Sequence, residues 1–283
     1  MSARANTFQA AAVTATATAT GGTGGRHLVL DTRRIALVLA AVACALAVVG
    51  AFVNVYIYQI AASPEADLAR VLARFDLGHE PSIPAWFSAN LLLLDGAMLL
   101  VTGFAAVRAG ERFAVHWLVL GAIFVALSAD EAALFHEMLD TALAAAIDRA
   151  GFTRGGVFLF PWVVAGALFG LAVALAYARF LLHLPVRVAA LFVGSGALYV
   201  GGAVGMELAS SQAISGFGLD SLAHTATQTV EESMEMAGAI LFFFALGEHW
   251  RWRHGPLRLA TAPAAPPRGE AGTVRRADGT EIV

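Results

Sequence analysis

Eight carboxyls and two imidazoles interrupt stretches of this chain that are otherwise apolar enough to cross a bilayer. They are Asp95, then Asp130, Glu131, His136 and Glu137, then Glu207, and finally His224, Glu231, Glu232 and Glu235. Ser128 and Gln228 stand among them. Placing a charged side chain at membrane depth costs a few kcal/mol or more, about 2.5–3.5 on insertion scales, so intramembrane acids mark functional sites by default. His224, Gln228, Glu231 and Glu235 follow one another at three- or four-residue steps and form a single helical stripe, with Glu232 beside it. Asp130 shares a face with Glu137, and Ser128 shares one with Glu131.

The chain contains no Lys, and no Arg lies inside a span beside these acids. Several uncompensated carboxylates in one low-dielectric site cannot all ionise. A bound cation, shared protons, or water and polar neighbours can relieve them, and each remedy implies a function. Carboxylates with an imidazole suit Fe, Zn or Mn, and helix bundles hold such ions with inward Glu side chains. Glu131, His136, Glu207, Glu231, Glu232 and Glu235 supply enough ligands, with Asp95, Ser128, Asp130, Glu137, His224 and Gln228 as supporting polar groups. Glu131 and His136 are five residues apart, about 140° around a helix, so both reach one ion only if the helix breaks or bulges near Ala133–Phe135. Alternatively the acids form a proton or cation path, with Asp95 and the Glu231/Glu235 stripe as the relay. A third reading makes the chain a structural or assembly subunit whose acids hydrogen-bond one another.

The elements that must position these residues are transmembrane helices. Hydrophobic residues make up 58% of the 283 and charged ones 14%, against about 25% charged in soluble domains, and the mean hydropathy is +0.70. Six segments satisfy the roughly 20-residue requirement for a span: 35–61, 87–107, 113–136, 157–182, 186–209 and 223–247. Arg26, Arg33, Arg34, Arg108, Arg112, Arg179, Arg187 and the Arg-rich C-terminal tail fall on one side, which predicts an all-α polytopic bundle with both termini cytoplasmic. Residues 1–33 and 250–283 read as disordered cytoplasmic tails around a membrane domain at 34–249. Residues 64–76 read as an interfacial amphipathic helix, and 137–150 either prolong the third span or lie along the surface. Cys44 is the only cysteine, which excludes intrachain disulfides and multi-thiolate metal sites.

This topology gathers the acids. The third and fifth spans run outward and carry theirs late, whereas the second and sixth run inward and carry theirs early. All fall in or near the outer half of the membrane.

The pattern Ser128-x-Asp130-Glu131-(x)4-His136-Glu137, then Glu207, then Glu231-Glu232-x-x-Glu235, resembles a set of uncharacterised bacterial polytopic membrane proteins over residues 113–247. The resemblance carries no function. A looser one, to intramembrane metal-dependent lipid hydrolases, lacks their three-His site. The absence of Lys and the abundance of Ala and Gly fit a GC-rich bacterial genome, hence a multi-pass protein of the inner (plasma) membrane. No phosphate loop, dinucleotide fingerprint, HExxH or nucleophile elbow is present, and nucleic acid is not an expected partner. Gly201, Gly202 and Gly205 read as a close-packing surface, and Trp117, Trp162 and Trp250 as interface anchors. The expectation is a divalent-metal site in the outer half of the membrane. An enzyme acting there would use the ion on a lipid-like substrate.

Overall fold

The structure, a computed structural model, describes residues 27–57, 66–79, 81–152, 159–260, 274–275 and 281–282. Expectations for 1–26, for the end of the first span and for much of the C-terminal tail lie outside these residues. Two units emerge, Thr32–Arg253 and a second made of Met1–Asp31 with His254–Val283.

The larger unit is helical: α1 (Thr32–Val55), α2 (Ala66–Leu72), α3 (Ile83–Arg108), α4 (Ala114–Ala133), α5 (Phe135–Arg149), α6 (Trp162–Leu181), α7 (Val186–Val200), α8 (Glu207–Phe217) and α9 (Leu222–His254). A π-helical turn, Gly201–Met206, joins α7 to α8 without a break. Among the described residues five helical stretches are long and apolar enough to cross a membrane: α1, α3, α4, α6 and the continuous Val186–Phe217. The protein is therefore membrane-embedded. Large apolar side chains such as Leu37, Phe52, Phe104, Leu168 and Leu175 point outward, as lipid-facing residues do.

Local chemistry sets the ends. Ser82 caps α3, its Oγ accepting from Ala85 N–H at 3.2 Å, and Pro84 sits in the first turn. The cap moves the helix start from the expected 87 to Ile83. The 64–76 expectation resolves into α2 and a 3₁₀ turn at Ala73–Phe75, with Leu68 and Val71 exposed. The third span ends at Leu134, and α5 begins afresh after it. The fifth outlasts its expected end at 209 and remains helical to Phe217.

Helix α9 is the hub. Its AGAILFFFAL run is core. Phe242, Ala245 and Leu246 pack with Leu99, Trp117, Phe180 and Phe192. Met236, Ala239, Ile240 and Phe243 pack with α1 and with Leu91 and Leu92 of α3. Gly238 makes this possible, because a Cβ there would lie 2.8 Å from the Tyr199 backbone nitrogen.

In the smaller unit β1 (His27–Leu30) pairs antiparallel with β2 (Leu257–Ala260), His27 opposite Ala260. Likewise β3 (Val274–Arg275) pairs with β4 (Glu281–Ile282). The tails thus hold short strands where the sequence offers no strand signal.

Candidate carboxylate and imidazole site

The site begins at the break in the third span. Leu134 is left-handed, φ 59° and ψ 38°, a conformation that costs an L residue about 1–2 kcal/mol. Asp130 compensates. Its Oδ1 accepts the His136 backbone N–H at 2.8 Å, capping the start of α5, and its Oδ2 lies 3.1 Å from His136 Nδ1. The break also removes the roughly 140° separation between Glu131 and His136 that a straight helix imposes.

Glu207 opens α8 immediately after the π turn. It shares a hydrogen bond with Glu231 and receives another from the Trp162 indole, and His136 and Asp140 act on it electrostatically. Glu232 and Glu131 act on Glu231 in turn. Glu235 feels Glu232, Glu131, Glu231 and Glu207. All six predicted ligands thus belong to one interacting network of half-buried side chains. A hydrogen bond between two carboxyls requires that one of them hold a proton. Gly202 admits this closeness: a Cβ there would lie 2.9 Å from Glu235 Cγ and 3.0 Å from the Glu231 carbonyl.

The supporting residues divide. Asp130 belongs to the network. Glu137 is exposed in the first turn of α5, where an acid complements the helix dipole. Ser128 donates to the Ala89 carbonyl at 2.7 Å and ties α4 to α3. His224 pairs with Ser210 at 2.8 Å, and Gln228 sets its amide against Gly78. Asp95 is fully buried in α3, and among the described residues neither of its oxygens has a hydrogen-bond partner. None of the cluster's charges acts on it.

Three further participants come from the structure. Asp140 accepts the Trp162 backbone N–H at 3.1 Å; its position four residues after His136, on the same face of α5, is the signal the sequence offers. Trp162 lies beside the His136 ring, centroids 5.2 Å apart, where the sequence suggests an interface anchor. Tyr199 lies within the field of Glu235, Glu131, Glu232 and Asp130. A cavity of about 560 Å³ extends from Trp162 and Tyr199 along an apolar wall that includes Gly166, Phe169, Gly196 and Phe242.

Chemically, the cluster offers oxygen donors and one imidazole whose Nδ1 is engaged by the Asp130 carboxylate. Such carboxylate–histidine pairs orient metal-binding rings. Among the described residues, no three of these groups are close enough as placed to hold an ion.

The family described as a domain of unknown function (DUF8692) matches residues 35–250. No curated protein and no solved structure matches the chain.

Proposed function

We propose that this chain, which belongs to that family of unknown function, binds a divalent cation in exchange for protons at the Glu131–His136–Glu207–Glu231–Glu232–Glu235 cluster. The setting is a six-span bundle with both termini cytoplasmic, in a bacterial inner membrane, with α9 as the sixth span. The observation that supports the reading is that five glutamates and one Asp130-oriented imidazole act on one another electrostatically in a chain with no Lys. A divalent ion neutralises two carboxylates at once, and because ligands must be deprotonated its binding expels their protons. Fe, Zn or Mn fits the oxygen and imidazole donors, and such an ion supplies Lewis-acid activation of water or oxygen. The apolar cavity ending at Trp162 and Tyr199 favours a lipid-like substrate, and its volume lies within the usual ligand-site range of about 300–1,000 Å³.

A second reading rests on the Glu207–Glu231 hydrogen bond. Paired carboxyls hold and pass a proton, so the same cluster suits a proton or cation relay.

Elemental analysis of detergent-purified protein separates the two. Metal binding predicts about one or two equivalents of Fe, Zn or Mn, as helix-bundle carboxylate sites carry. Glu231→Gln with Glu235→Gln removes them, and chelator lowers the melting temperature of the wild type alone. Metal-free protein whose melting ignores chelator sinks the metal reading. Proton flux into liposomes that fails in the double variant then establishes the relay, and neither signal leaves a structural subunit.

A further inference from the structure

A second groove, about 770 Å³, runs between α1 and α9. Ala36, Ala40, Ala43 and Ala47 follow at three- and four-residue steps along its α1 wall, and Met236, Ile240 and Phe244 face them from α9. The alanines keep that wall shallow, so the helices leave a channel where larger side chains would have filled it. Arg33 and Arg187 close one end.

Those two guanidiniums are held by one carboxylate. Arg33 forks onto Glu248, Nε to Oε1 at 3.0 Å and a terminal nitrogen to Oε2 at 3.3 Å. Arg187 stands 3.9 Å from the same Oε2, which Arg251 also engages. Glu248 is only 6% exposed, while the side chains of Arg33, Arg187 and Arg251 are 48%, 71% and 45% exposed. Three guanidiniums thus gather on one carboxylate at the end of the groove. The counter-charge is buried, and the donors reach outward.

We propose that this groove binds an anionic glycerophospholipid, its phosphate at Arg33 and Arg187 and one acyl chain along the alanine stripe of α1. The charge decides the class: guanidinium donors match phosphate oxygens, and a zwitterionic lipid brings the same chain with its phosphate charge already offset. The dimensions agree. Cys44, exposed on the groove, lies eleven residues beyond Arg33, about 16.5 Å along the helix, comparable to the roughly 15 Å that an acyl chain spans in one leaflet. This site is separate from the carboxylate cluster and does not depend on the function proposed for it.

The test uses the full chain in bilayers of unlabelled phosphatidylcholine doped with a diazirine-acyl phosphatidylglycerol or, in parallel, the matching phosphatidylcholine. Photo-adducts are mapped by peptide mass spectrometry. Residues 36–48 should be labelled several-fold more by the anionic probe, and the outward face around Val101 and Phe104 equally by both. Arg187→Gln, which leaves the Arg33–Glu248 fork intact, should reduce the preference about fivefold, the effect of one basic side chain at a membrane surface. Arg33→Gln with Arg187→Gln should abolish it. Equal labelling of 36–48 by both probes in the wild type means annular lipid only and overturns the proposal. So does a preference that survives in Arg187→Gln protein with an unchanged melting temperature.

Discussion

One carboxylate, Asp130, holds His136 twice: by its backbone N–H at 2.8 Å and by its ring Nδ1 at 3.1 Å. The two contacts join local structure to chemistry. The backbone bond satisfies a donor in the first turn of α5, which the left-handed Leu134 would otherwise leave exposed at a broken helix. The ring bond fixes the face His136 presents toward Glu207.

Asp130→Ala should therefore show two separable losses. Removing the cap costs about 0.5–2 kcal/mol, read as a lower melting temperature. If the proposed site holds an ion, releasing the ring should weaken metal affinity about 10–100-fold, as other lost carboxylate partners do. Asp130→Asn, which still accepts the backbone N–H, should recover most of the first loss and little of the second. Full metal affinity in both variants would show that His136 takes no part in binding.

Two glycines make opposite predictions. At Gly238 a Cβ would meet the Tyr199 nitrogen at 2.8 Å and the Ser195 carbonyl oxygen at 3.0 Å, both backbone atoms that cannot step aside. Gly238→Ala should destabilise by about 1–3 kcal/mol through overpacking. At Gly196 a Cβ would meet nothing within 4 Å, so Gly196→Ala should be neutral or stabilise by about 0.5–1 kcal/mol through helix propensity alone. Thermal melts of the two variants side by side decide it, and equal effects would refute the close approach of α7 to α9.

Position along a helix is legible in the sequence, because the apolar stretches bracket the helices that carry the acids. Azimuth is not. Asp95 is expected at the depth of Glu235, yet α3 turns it into a core with Leu91, Leu92 and Leu99, and none of the glutamates acts on it. The break at Leu134 carries no local signal, since Leu is not a residue that favours left-handed backbone; only the need to unite Glu131 with His136 points to it. The π turn is equally silent. Its glycines suggest close packing, which Gly202 provides, whereas a Cβ at Gly205 would meet nothing within 4 Å. Tyr199 is hidden for a different reason, because an aromatic in an apolar run reads as core until its neighbours are known.

Orientation has its own test. Ser215 is exposed near the end of α8, and its hydroxyl merely returns to the Ser211 carbonyl. In a Cys44→Ala background, Ser215→Cys should react with a membrane-impermeant maleimide from outside intact cells. A cysteine placed within residues 265–280 should react only after lysis. The opposite pattern would reverse the bundle and put the carboxylate cluster on the cytoplasmic side.

Glu248 gives a prediction in pH. The hydrogen bond from Arg33, with the charges of Arg251, Arg33 and Arg187, pulls its carboxyl below the ordinary glutamate value despite burial. A depressed folded value means the ionised form is the one that stabilises. The contribution is complete above the unfolded carboxyl value, about 4.3, and disappears as pH falls through the lower folded value. Because the arginines reach solvent, screening limits it to about 1 kcal/mol. Glu248→Gln should therefore melt below the wild type by a constant margin between about pH 7 and pH 5, and the margin should close below about pH 4. High salt should narrow it at every pH, since exposed guanidiniums are screened. A margin that widens on acidification would mean that Glu248 is stabilised in its protonated form, and the cluster of arginines around it would then need another explanation.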